Sequence, residues 1–110
     1  MGCYANGDAL FTFQTTDRGI YEKVQKAFKD EGFMYDFDIE IGKDTIEITA
    51  WGNERENLDI EAVLEKLTEF APIEERSWIA FDGDDNERWR YIYKRGEWKY
   101  QEGKIVYYDI

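Results

Sequence analysis

Met34-Tyr35-Asp36-Phe37-Asp38-Ile39-Glu40-Ile41 alternates without a break. Tyr35, Phe37, Ile39 and Ile41 point one way; Asp36, Asp38 and Glu40 point the other. Successive side chains of a strand project to opposite faces, so this spacing predicts a half-buried strand over 34–41 with its carboxylates toward solvent. Gly42-Lys43-Asp44 supplies a turn. Residues 45–51 then alternate again, with Ile46, Ile48 and Ala50 opposite Thr45, Glu47, Thr49 and Trp51. The two runs read as a hairpin that places Glu47 on the same face as Asp36, Asp38 and Glu40.

The flanking segments follow helix and strand periods in turn. Upstream, residues 9–14 read as a strand with Phe11 and Phe13 on one face. Thr15, Thr16 and Asp17 offer N-cap oxygens. Ile20, Val24, Ala27 and Phe28 then recur as one face of a helix, which Gly32 is suited to end. Downstream, Asn57 or Asp59 can cap a second helix with the stripe Ile60, Val63, Leu64, Leu67 and Phe70, which Pro72 stops. A strand over 77–81 and a polar turn over 82–87 follow. Trp89, Tyr91 and Tyr93 alternate with Arg88, Arg90 and Ile92. Arg95-Gly96 turns the chain into a strand over 98–100, Glu102-Gly103 turns or bulges it, and 105–108 closes. The order predicts an α+β fold, the ferredoxin-like βαββαβ plan, with its antiparallel sheet extended by a C-terminal β-meander.

The chain's 110 residues suffice for one domain, 1–110, and not for two. Its 25 acidic and 14 basic residues leave a net charge of −11, a disorder signal that 17% aromatic content overrides, because that much aromatic surface is usually buried. No apolar run approaches the ~20 residues of a membrane span, and no charged-then-apolar signal segment opens the chain. Met1-Gly2 fits a myristoylation start, but Asn6 stands where Ser or Thr is expected. With a single Cys there is no internal disulfide, and cytoplasm is the default compartment. The absence of His removes His-based catalysis and His-based zinc sites.

The charge is unevenly placed. Residues 1–75 hold 18 acidic and 7 basic residues; residues 76–110 hold 7 of each. Beyond the hairpin carboxylates Asp36, Asp38, Glu40 and Glu47, a second cluster lies on helix two. There Glu61, Glu65 and Glu69 recur at i, i+4, i+8, a stacking of like charges that weakens a helix. Such a run is either a solvated face or an electronegative surface for a basic partner. Direct nucleic-acid binding is disfavoured, because phosphate is repelled by the same charge.

Two metal patterns fail on their details or their context. Asp82, Asp84 and Asn86 match positions 1, 3 and 5 of a calcium loop, but Glu87 occupies the glycine position and Tyr93 the bidentate glutamate position. Glu97-Trp98-Lys99 behind Asp82, Asp84 or Asp85 has the spacing of a metal-dependent nuclease, with Asp85 and Glu97 holding Mg²⁺ and Lys99 beside the attacking water. Three-residue patterns recur by chance, and the acidic surface opposes a DNA substrate. Arg88 and Arg90 among the aromatic residues could make a base-stacking platform, although such residues are more often core plus cross-strand pairs. Cys3 has no adjacent cation to activate it.

The segment from Asp82 to Tyr93, with Gly96 and residues 103–107, is similar in style to the tails of small acidic phage and mobile-element proteins, as is the opening Met1-Gly2-Cys3-Tyr4. At class level the compact, acidic, His-free domain resembles phage-encoded inhibitors of host defence, including anti-CRISPR proteins. That resemblance implies a non-catalytic, cofactor-free protein acting in the cytoplasm of a bacterial host. Its acidic surface would compete with nucleic acid for the basic channel of a nucleoprotein effector. The expected partner-binding residues are Asp36, Asp38, Glu40, Glu47, Glu61, Glu65 and Glu69. The competing readings are the Asp85–Glu97–Lys99 nuclease and a regulatory module whose sheet edge pairs with a second copy.

Overall fold

The computed structural model describes the backbone over 4–55, 58–83 and 87–104, and the side chains over 5–53, 58–83 and 87–103. The elements run β1 (Tyr4–Phe13), α1 (Ile20–Asp30), β2 (Asp36–Ile41), β3 (Ile46–Arg55), α2 (Ile60–Phe70), β4 (Trp78–Asp82), β5 (Glu87–Lys94) and β6 (Glu97–Lys104). The strands form one antiparallel sheet in the order β2-β3-β1-β4-β5-β6. Both helices cover the same face of it, so the fold is α+β in two layers.

The core follows from the two periodicities. Phe11, Phe13, Ile46, Ile48, Ile79 and Phe81 project from the covered face and are buried. They meet Val24, Ala27 and Phe28 of α1 and Val63, Leu64 and Leu67 of α2. Phe28 is the hub of the aromatic packing, with ring centroids 5.3–6.1 Å from Phe37, Tyr35, Phe33 and Phe11. Burial of each such ring contributes roughly 1.5–3 kcal/mol. The helix stripes predicted from sequence are the buried faces, except that Phe70 at the end of α2 is half-buried.

Capping differs between the helices. Asp59 Oδ1 accepts from Ala62 N at 3.1 Å and caps α2; Asn57, the alternative cap, lies outside the described residues. For α1 the cap position is Gly19, which has no side chain to offer. The expected cap oxygens act one turn earlier: Thr15 Oγ1 accepts from Asp17 N at 3.1 Å and Asp17 Oδ1 from Gly19 N at 2.9 Å. They build the turn that leads into the helix.

Three expectations need correction. Strand β1 starts at Tyr4 rather than near residue 9, because small residues were needed there. Gly7 and Gly52 are cross-strand partners, and a Cβ on either would collide with the Tyr35 ring, at 2.8 Å from Cζ for Gly7 and 2.7 Å from Cδ1 for Gly52. Strand β2 does not bury all four apolar residues of 34–41. Tyr35 is buried and Phe37 and Ile39 are half-buried, but Ile41 is 45% exposed, since β2 is the sheet's outer strand. Finally, β6 runs through Glu102-Gly103 without a turn. The expected closing strand at 105–108 lies outside the described residues.

The C-terminal hairpin extends the same sheet. Arg95 and Gly96 both have positive φ, 54° and 80°, the geometry of a two-residue turn matched to strand twist. Ser77 Oγ accepts from Thr12 N at 3.0 Å, Trp89 stacks on Phe81 at 5.4 Å, and Trp98 meets Phe11 edge-on at 6.0 Å. Strands β4, β5 and β6 are therefore tied to the core through Ser77, Phe81, Trp89 and Trp98.

Candidate functional site

Among the described residues nothing covers the face of the sheet away from the helices, and register sets what it displays. One row crosses all six strands: Asp38, Thr49, Leu10, Trp78, Ile92 and Lys99. The next runs Asp36, Trp51, Asp8, Ala80, Arg90 and Gln101. Glu40 is paired with Glu47 in a third. Like charges placed directly opposite destabilise a strand pair, so this arrangement is kept against a local cost.

The hairpin carboxylates thus share one face, as their alternation requires. Asp36, Asp38 and Glu40 are exposed, and Glu47 is half-buried. Asp38 Oδ1 accepts from its neighbour Ile39 N at 2.9 Å. Trp51 shares this face as its alternation requires, and one residue, Asp8, joins the strip from outside the hairpin. Asp8 lies in register with Trp51, and Trp51 is 43% exposed between Asp8 and Asp36. Asp8 could have been placed by extending the β1 alternation backward through Ala5, Gly7 and Ala9.

Glu61, Glu65 and Glu69 are exposed on α2, in the opposite layer, so the two acidic clusters do not form one surface. Glu61 Oε1 accepts from Tyr91 Oη at 3.1 Å. Burial, then the Glu61 carboxylate, pushes the Tyr91 hydroxyl up to about 12. Beside this bond a groove of about 320 Å³ opens between α2 and the C-terminal hairpin, lined by Glu61, Leu64, Glu65, Thr68, Tyr91 and Trp98 among others. Among the described residues Trp98 Nε1 is buried without a hydrogen-bond partner.

Three cations of the tail are engaged within it. Arg88 Nε donates to Asp82 Oδ1 at 3.0 Å, and Arg90 Nε to Gln101 Oε1 at 2.6 Å. Lys99 Nζ pairs with the Glu97 carboxylate, which the ammonium holds below the usual carboxylate range. Asp84 and Asp85, which the calcium-loop and nuclease readings need, lie outside the described residues. Among the described residues no three acidic or thiol side chains converge as a metal site. No helix among them is long and apolar enough to cross a membrane.

No family model, no curated protein and no solved structure matches this chain.

Proposed function

We propose that the protein acts by binding, presenting the open-face carboxylates Asp36, Asp38, Glu40 and Glu47 to a basic surface of a partner protein. The observation that carries this reading is the strip itself. Over 5–13, 36–41 and 46–53, where side chains are described, the open-face positions of β1, β2 and β3 hold five carboxylates and no cation. Along β2 the acidic side chains repeat at about 6.6 Å, two residues of rise, on an outer strand with nothing beside it among the described residues. Such a row can occupy a Lys/Arg-lined groove in place of phosphate. Taken with the resemblance at class level, the proposal is a non-catalytic inhibitor of a bacterial nucleic-acid-targeting defence system, acting in the host cytoplasm.

The order β2-β3-β1-β4, antiparallel throughout with both helices on one face, supports a ferredoxin-like reading of the first four strands, to which β5 and β6 are added.

Capture from a nuclease-treated bacterial lysate over a salt series tests the proposal. Wild-type protein is compared with Asp36→Asn/Asp38→Asn/Glu40→Gln and with Glu61→Gln/Glu65→Gln/Glu69→Gln. Capture of a basic protein should fall steeply with salt and be lost in the hairpin variant, while the helix variant retains it. Folding should be preserved in both, since exposed carboxylates contribute ~0–1 kcal/mol each. Equal capture by the hairpin variant at every salt concentration overturns the proposal.

A further inference from the structure

The open face is acidic on one half only. Beyond the central pair Leu10 and Trp78, the open-face positions of β5 and β6 carry Arg88, Arg90, Lys94 and Lys99. On this half only Asp82, on β4, and Glu97 oppose them among the described residues. One side of the face is therefore strongly negative, the other net positive, and the strip between them is apolar, made by Leu10, Trp78, Ala80 and Ile92. All four are half-buried by their neighbours.

We propose that a second copy of this chain docks on this face, sheet against sheet, about a two-fold axis parallel to the strands and passing between β1 and β4. The charges choose the axis. A two-fold across the strands would set β2 on β2, acid against acid. The two-fold along the strands exchanges left and right, so β2 faces β6, β3 faces β5, and β1 faces β4 of the second copy. Each cross-strand row then meets its own reverse. Asp38 faces Lys99 of the second copy, Trp51 faces Arg90 of the second copy, and Leu10 faces Trp78 of the second copy. The first is an ion pair, the second a guanidinium over an indole, and the third the apolar centre on the axis. Glu40 meets Glu97 of the second copy, a like-charge contact that the neighbouring Lys99 and Lys94 offset. Six strands about 4.8 Å apart and about eight residues long offer roughly 700 Å², close to the ~800 Å² per partner of a stable interface. The overall charge of −11 opposes any self-association, but beyond ~8 Å it is screened at physiological ionic strength, whereas the facing pairs are in contact.

This pairing does not rest on the proposed basic partner. It uses the same carboxylates, so such a partner would displace the second copy.

Sedimentation equilibrium of the full chain at 0.15 M salt tests the pairing. Wild type should show a concentration-dependent dimer. Arg90→Glu/Lys99→Glu should weaken it at least ten-fold, as should Asp36→Lys/Asp38→Lys. An equimolar mixture of the two variants should restore a dimer, because at the contact between positions 38 and 99 the two chains then carry opposite charges. Circular dichroism checks that both variants fold. A wild-type chain that stays monomeric across the concentration range overturns the proposal. So does a dimer that either variant forms as tightly as wild type, which would indicate pairing through a sheet edge instead. Failure of the mixture to restore association also counts against it.

Discussion

Tyr91 Oη donates to Glu61 Oε1 at 3.1 Å, tying the C-terminal hairpin to the start of α2. Burial and the nearby carboxylate both favour the protonated phenol and push its pKa up to about 12, above the ordinary value of 10. A folded-state value raised in this way contributes stability that is complete below pH 10 and is lost as pH rises toward 12. The difference at 295 nm between wild type and Tyr91→Phe should show one phenol titrating near 12. Glu61→Gln should bring that step down toward 10 without reaching it, since burial persists. Tyr91→Phe should cost about 0.5–1.5 kcal/mol at neutral pH and nothing extra above pH 12. A step at 10 in the wild-type difference spectrum would show that the bond does not persist in solution.

Gly7 and Gly52 form a cross-strand pair under the Tyr35 ring, and neither has room for a Cβ. Gly7→Ala should therefore destabilise by about 1–3 kcal/mol, the usual cost of overpacking, despite the better strand propensity of alanine. The loss should shrink when Tyr35 is also changed to Leu, which removes the distal ring atoms that the new methyl would strike. Additive losses in the urea-unfolding midpoints of the single and double variants would rule out the collision as the cause.

The two aromatic partners Phe28 and Phe37 should differ in cost although their rings lie 5.3 Å apart. Phe28 is fully buried and central, so Phe28→Ala should cost about 3–5 kcal/mol. Phe37 sits on the outer strand and is half-buried, so Phe37→Ala should cost distinctly less. From its alternation alone Phe37 would have been ranked with the full core. Thermal melts of the two variants separate the expectations, and equal losses would mean that β2 is more deeply covered than its exposure indicates.

That ranking marks where the sequence stops being legible. Period-two alternation over 36–51 and the helical stripes of α1 and α2 are local patterns, and they are the buried faces of the fold. The burial gradient from Tyr35 to Ile41 is not local, because it depends on β2 lying at the sheet's edge. The early start of β1 was hidden because Ala5, Gly7 and Ala9 are small, and Gly7 is small to suit Tyr35, some thirty residues away. For the candidate site, the shared face of Asp36, Asp38, Glu40 and Glu47 was readable from the hairpin. The addition of Asp8, and the opposing Arg90 and Lys99, required the strand order. Charge totals along the chain made the tail look neutral, whereas its faces sort the charges by parity.

The stack Glu61, Glu65 and Glu69 runs the length of α2, where the last turn has no basic residue. Position along the helix should decide what each carboxylate does. Glu61 is in the first turn, where the positive end of the helix dipole favours it and Tyr91 donates to it. Glu69 is in the last turn, where the dipole opposes it and Glu65 repels it from one turn back. Glu69→Lys should therefore stabilise by about 0.5–1 kcal/mol, and Glu61→Lys should destabilise by about 1 kcal/mol or more. For a domain of this size each kcal/mol moves the melting temperature by roughly 4 °C, well within calorimetric resolution. Both substitutions lower the net negative charge equally, so general self-repulsion would make both stabilising. Opposite signs in the two melts would assign the effect to the helix ends and the Tyr91 bond. A rise in melting temperature for both would assign it to the overall charge.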